Sequence, residues 1–173
     1  EELFKTTETG LGMQLLYDVS HNIARFETHR VEGVPMNLCV HRKGATASFP
    51  PGHPEVPRDY RSVGQPVLIP GDMGTHSYVL VGGESAMEES FGSTCHGAGR
   101  TMSRSKAKKQ IDGRELKDRL ESQGILVFAG KASLLAEEAP EAYKDVNRVV
   151  EVCEGAGLSR KVARMSPIGV LKG

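Results

Sequence analysis

Residues 66–100 read P-V-L-I-P-G-D-M-G-T-H-S-Y-V-L-V-G-G-E-S-A-M-E-E-S-F-G-S-T-C-H-G-A-G-R, and their reading decides the fold. Two short apolar runs, 66–69 and 77–81, are strand-like, and 84–90 predicts a short helix. A glycine-containing loop, P-G-D-M-G-T-H, connects the strands, and the helix leads into F-G-S-T-C-H-G-A-G-R, residues 91–100. Without Cβ atoms, such loops let backbone N–H groups approach a ligand closely. His96, set among small residues, can present an imidazole nitrogen. Arg100 supplies the only fixed charge of that loop, which suits an anionic ligand such as phosphate better than a metal. The same residues also read as a Gly-rich turn with an incidental histidine. Neither loop has the spacing G-x-G-x-x-G or G-x-x-x-x-G-K-[ST], so Rossmann and P-loop readings fail.

Toward the N-terminus, residues 12–30 carry Met13, Leu16, Tyr17, Val19, Ile23 and Phe26 in an imperfect stripe with three- and four-residue repeats. This predicts an amphipathic helix with His21, Asn22 and His29 in it. Gly33-Val34-Pro35 ends that element, and residues 36–43 alternate as a strand does. Cys39 and His41 share a strand face, but no second pair completes a tetrahedral set, so zinc is rejected. Arg42 and Lys43 lead into the small-residue turn Gly44-Ala45-Thr46, a candidate phosphate contact. Residues 49–65, with Pro50, Pro51, Pro54 and Pro57, read as a stiff packed loop with no domain boundary in it.

Toward the C-terminus, residues 100–119 hold eight Lys/Arg against three acids. Such a run is either a solvated helix face or a landing strip for a polyanion. Residues 111–123 predict a helix closed by Gly124, and 125–128 a buried strand. Residues 133–153 read as mostly helical, interrupted at Pro140, with Val146, Val149, Val150 and Cys153 on one face and Tyr143 as a half-buried anchor. Residues 161–171 alternate as a final strand broken by Pro167. Together these elements predict one α+β domain over 1–173, with a mixed, largely antiparallel sheet, packed helices and the site in loops at one end.

The 173 residues suffice for a sizeable core; 38% are hydrophobic and 25% charged, a globular composition. Net charge is zero, so no global field favours nucleic acid. No apolar run is long enough to span a membrane. The opening E-E-L-F-K lacks an initiator methionine and a signal-peptide pattern, which reads as an interior cut or a processed chain. Three scattered cysteines, Cys39, Cys95 and Cys153, argue against a disulfide framework and fit a reducing cytoplasm.

Taken together, D-V-S-H-N-I-A (18–24), H-R-K-G-A-T (41–46), F-P-P-G-H-P (49–54), P-G-D-M-G-T-H-S-Y (70–78), F-G-S-T-C-H-G-A-G-R (91–100) and P-I-G-V-L-K-G (167–173) resemble, in this order, the C-terminal part of RtcB-type RNA-splicing ligases. The resemblance covers essentially the whole chain. It implies a GTP- and manganese-dependent ligase that joins RNA ends bearing a 2′,3′-cyclic phosphate or 3′-phosphate to 5′-hydroxyl ends, in tRNA exon joining and RNA repair. It places the nucleophile that becomes a histidine–GMP adduct on His96, and a manganese ligand on His21 with Asn22 beside it at the nucleotide. Pro70, Gly71, Asp72, Met73 and Ser77 resemble the GMP-binding segment, and His96, Gly97, Ala98 and Gly99 the ribose and phosphate cradle. Lys172 matches the lysine that reads guanine, and Tyr143 sits where the family stacks an aromatic ring on the base.

Charge and position add Arg42, Lys43, Arg100 and Arg104 as expected RNA or phosphate contacts. Ala47 departs from the family's usual arginine. The family's other metal ligands, an aspartate, a cysteine and two histidines, belong to an N-terminal half that this chain lacks. The chain alone is therefore expected not to load GMP, and an archease-type activator is a further possible partner. A non-catalytic guanosine- or RNA-binding module is the alternative. A metal-dependent phosphohydrolase is disfavoured by the single metal ligand and the missing carboxylate cluster.

Overall fold

The computed structural model describes residues 5–7 and 9–172. A β-hairpin comes first, with β1 (Asn22–Val31) antiparallel to β2 (Val34–Lys43). Its two-residue turn, Glu32-Gly33, has positive φ at both positions (51° and 81°), the backbone that matches the twist of the paired strands.

The helix expected over residues 12–30 is not formed, and this hairpin takes its second half. Residues 13–20 have no regular structure and β1 occupies the rest. Three members of the supposed helical stripe, Met13, Leu16 and Phe26, lie 61%, 63% and 75% exposed. The positions that turn inward are Ile23, Glu27, His29 and Val31, a period of two. Two of these are polar, so the strand period is invisible to a hydrophobicity reading.

After a turn at Gly44 the chain enters β3 (Ala45–Ala47), then the proline-rich loop, β4 (Pro66–Ile69), β5 (Ser77–Gly82), the short α1 (Ala86–Glu89) and β6 (Ser93–Cys95). The loop is packed, as expected: Phe49 and Val56 are buried, and Gln65 donates its N–H to Phe49 O at 2.9 Å. Next come α2 (Arg104–Gln110), α3 (Gly113–Ser122), β7 (Leu126–Ala129), α4 (Ala132–Glu137), α5 (Val146–Gly155), β8 (Ser159–Met165) and β9 (Gly169–Lys172). Side chains of Ser103, Asp112 and Asp145 cap α2, α3 and α5, satisfying amides that would otherwise lack acceptors.

The strands form four small sheets, β1–β2, β3–β6, β4–β5–β8 and β7–β9. All pairings are antiparallel except β7–β9, which is parallel. The fold is thus α+β with mixed, largely antiparallel sheets, as the sequence predicts. Pro167 separates two strands that join different sheets, rather than interrupting one.

Two cores result. One joins Val67, Ile69, Tyr78 and Leu80 of the three-stranded sheet to Val146 and Val150 of α5, and it includes Ala98. The other joins Leu116 and Leu120 of α3 to Ile125, Val127 and Leu135, and it includes Met73. Each Gly-rich loop therefore drops one apolar residue into a different core. Burial of a methionine at such a position contributes about 1.5–3 kcal/mol. The loops are anchored.

Candidate functional site

Backbone pairing at the foot of the hairpin positions the two central histidines. Asn22 pairs with Lys43, and Gly44, at φ +67°, turns the chain into β3. Ala45 pairs with Cys95, so His96 emerges beside the turn. The Gly44 N–H donates to His21 O at 2.9 Å, and Gly44 O accepts from the His96 N–H at 3.0 Å. One glycine thus bonds both histidine backbones. The imidazoles stack with centroids 4.5 Å apart and planes 14° from parallel.

His96 is half-buried. Burial holds its pKa below the ordinary histidine value, the neighbouring His21 lowers it further, and a backbone group of Leu68 opposes both. Its Nδ1 is buried without a hydrogen-bond partner. A neutral imidazole carries a nitrogen lone pair, which is the form a nucleophile needs. Gly97 and Gly99 then adopt φ of +136° and +76°, where a side chain is strained. Ala98 between them points into the core.

The loop at 70–77 is held by its own polar groups. Asp72 accepts from the Gly74 N–H at 2.8 Å and from the Thr75 hydroxyl at 2.8 Å, and the Gly71 N–H donates to Ser77 Oγ at 3.1 Å. A Cβ on Gly71 would lie 1.9 Å from His76 O, so only glycine fits. A cavity of about 410 Å³ opens beside this loop, large enough for a small ligand. Gly71, Asp72, Met73 and Ser77 form one wall, Tyr143 and Glu138 a second, and the segment from Pro167 to Lys172 a third. Lys172 is ordered because β9 pairs with β7 and its carbonyl accepts from the Gly130 N–H at 3.0 Å.

Tyr143 is clamped. Its hydroxyl donates to Glu138 Oε2 and accepts from Arg100 Nη1 at 2.8 Å. The Arg100 guanidinium lies over its ring, 4.7 Å from the centroid, a cation–π contact. Burial, then the Glu138 carboxylate, pushes the phenol pKa up. Burial alone would raise Glu138, but donation from Tyr143 and Arg104 holds it below the usual carboxylate range.

Six of the residues singled out in the sequence, Gly71, Asp72, Met73, Ser77, Tyr143 and Lys172, line this one cavity. Pro70 leads into its loop. His21, Asn22 and His96 lie at the foot of the hairpin, and Gly97 to Gly99 connect the two places. Gly99 O accepts from the Lys144 N–H at 2.9 Å, and Arg100 bridges Tyr143 in β-fashion.

Two expected phosphate contacts are corrected. Arg42 is 2% exposed and spends its donors on Glu27 (2.6 and 2.8 Å), Ser93 Oγ (2.8 Å) and Phe91 O (2.9 Å). A buried guanidinium requires such pairing, so it faces away from any ligand. Arg100 is likewise committed, to Tyr143, Glu138, Met102 O and Glu137 O. Arg104 is exposed but paired with Glu138 at 3.0 Å, and Lys43 is exposed. Within the basic run Lys108, Lys117 and Arg119 also meet carboxylates, so part of it is a solvated, salt-bridged face.

Glu138 is the pocket residue that sequence reasoning missed; an acid in E-E-A-P-E carries no local sign that it will meet a tyrosine and two arginines. Among the described residues no group of three or more His, Cys, Asp or Glu is placed to hold a metal ion. His21 is therefore a single candidate donor among the described residues.

The family model described as tRNA-splicing ligase RtcB matches residues 1–173. The chain belongs to the RtcB family. It is 61% identical over 173 residues to a tRNA-splicing ligase RtcB of Archaeoglobus fulgidus, and 56% identical to those of Methanococcus maripaludis and Thermococcus kodakarensis. In each case all of this chain is covered but only 36% of the relative. This RtcB-family chain thus spans a little over a third of the length of these three relatives. No helix among the described residues is long and apolar enough to cross a membrane.

Proposed function

We propose that this chain is the guanosine-binding, guanylyl-accepting portion of a GTP-dependent RNA ligase, joining 3′-phosphate or 2′,3′-cyclic phosphate ends to 5′-hydroxyl ends. The observation that carries the reading is the convergence of three distant segments, 71–77, 138–143 and 167–172, on one cavity, connected through Gly99 and Arg100 to a half-buried imidazole.

The residues divide the work by chemistry. The Lys172 ammonium suits the carbonyl acceptor of guanine, and the clamped Tyr143 ring offers a flat wall for the base. Amides at the positive-φ glycines 97 and 99 suit phosphate oxygens. His96, held neutral, attacks the α-phosphorus of GTP through a ring nitrogen. An N–P bond forms as the P–O bond to pyrophosphate breaks. The RNA 3′-phosphate then displaces the imidazole, and the 5′-hydroxyl displaces GMP. Manganese would lend charge neutralisation on the phosphates, and its donors beyond His21 would come from outside this chain. Lys43, Arg104 and the exposed Lys106 and Lys109 of α2 are the residues we assign to the RNA backbone, tRNA exon halves being the expected substrate; an archease-type activator is a further expected partner.

The incomplete metal-donor set favours a second reading for the chain in isolation, a guanosine- or RNA-binding module without turnover. Intact mass after incubation with GTP and manganese separates the two. We expect a GMP-sized gain on His96 only when the N-terminal portion of a full-length relative is supplied, and none in His96→Ala. A folded protein that binds GMP but never gains mass supports the second reading. Release of phosphate without an adduct would indicate a phosphohydrolase and overturn both.

A further inference from the structure

The His96 loop carries a second reactive feature that RNA ligation does not use. Cys95 ends β6, one residue before His96, and packs against the sheet–α5 core. Cys153 lies on α5, 58 residues away in sequence, and is 7% exposed. Their sulfurs are 3.4 Å apart. Closing that gap to a disulfide bond requires about 1.4 Å of movement, within the reach of small side-chain rotations. Cys153 also lines an open cavity of about 620 Å³ with Thr101, Tyr143 and Arg148, through which a small oxidant can reach it. The contact polarises the pair. The two sulfurs share this hydrogen bond, which pushes the Cys95 thiol up and brings Cys153 down, favouring thiolate at Cys153. Cys39 is exposed on β2 and has no neighbouring thiol among the described residues.

We propose that Cys95 and Cys153 form a redox modification site, which a peroxide-class oxidant converts to a disulfide tying the His96 loop to α5. The Cys153 thiolate attacks one peroxide oxygen, breaking the O–O bond to give a sulfenic acid and, after protonation, water. The Cys95 sulfur then attacks the sulfenic sulfur, and the hydroxyl leaves as a second water. Two thiols are oxidised, one peroxide is reduced, and the sum is a disulfide and two waters. The linkage joins β6 to a helix of the central core, so it restrains the loop that follows.

The test uses the protein at its natural length and does not depend on ligase activity. After mild hydrogen peroxide and alkylation, non-reducing peptide mapping should recover Cys95 and Cys153 in one linked species, lighter by two hydrogens than the separate peptides. Dithiothreitol should restore both, and Cys39 should stay alkylated. Cys153→Ser should abolish the link. If that variant fails to fold, dimedone trapping of a sulfenic acid on Cys153 in the unmodified protein reads the first step. Hydrogen exchange at residues 97–99 should slow several-fold on oxidation. Consumption of Cys39 with Cys95 and Cys153 left as thiols would overturn the site. A link that leaves exchange at 97–99 unchanged would overturn the restraint.

Discussion

Two clusters in this molecule are built from the same parts and do different things. In the hairpin, Arg42 pairs with Glu27 at 2.6 Å and lies 5.7 Å from the centroid of the Phe49 ring. Near the cavity, Arg100 pairs with Glu138 at 3.4 Å and lies 4.7 Å from the centroid of Tyr143. The first pair has side chains 2% and 9% exposed, the second 22% each. Burial decides the difference. A closed ion pair has given up its hydration and depends entirely on its partner, whereas a half-open one keeps water as a substitute. The hairpin cluster therefore holds strands together, and the cavity cluster aims a ring at open space.

The largest effect that tests this contrast is on stability. Glu27→Gln leaves a buried guanidinium without its counter-charge and should cost about 3–5 kcal/mol, read from denaturant midpoints. Glu138→Gln should cost about 1 kcal/mol or less. Equal losses would break the comparison. A smaller effect should appear in binding. Tyr143→Leu removes the flat wall and should weaken GMP binding by about 3–10-fold in calorimetry, with little change in stability. Should stability fall instead and affinity stay, Tyr143 belongs with the hairpin type of cluster.

The smallest effect is an acid slope. Burial would raise the Glu27 carboxyl, but bonding from Arg42 and then His29 more than offsets it and holds the pKa below the usual carboxylate range. The native state then holds fewer protons than the unfolded one. The stabilisation is complete above the ordinary glutamate pKa and is lost as pH falls through the lower folded one. Thermal midpoints of the unmodified protein should fall in that window, and Glu27→Gln should flatten the slope.

Much of the cavity was legible because its signals are local. The strand runs at 66–69 and 77–81, the loop glycines at 71, 97 and 99, and the caps of α2, α3 and α5 each depend on a few adjacent residues. The motif order alone points to His96, Tyr143 and Lys172. The hairpin was illegible for the opposite reason. Its inward face carries Glu27 and His29, which look like surface residues until Arg42 is known to lie across the pair of strands.

The sequence by itself determined the family, the α+β class and the identities of six residues that meet at the cavity, but not that of Glu138. Backbone angles and alternation are properties of neighbours, and a linear reading sees neighbours. Only the tertiary structure decided which arginines reach the surface and which are consumed inside, and that Cys95 lies against Cys153. Those outcomes depend on contacts such as Arg42 with Ser93, 51 residues apart, and Arg100 with Tyr143, 43 apart. A guanidinium has the same charge in either setting; the desolvation it meets is set by the residues that close over it.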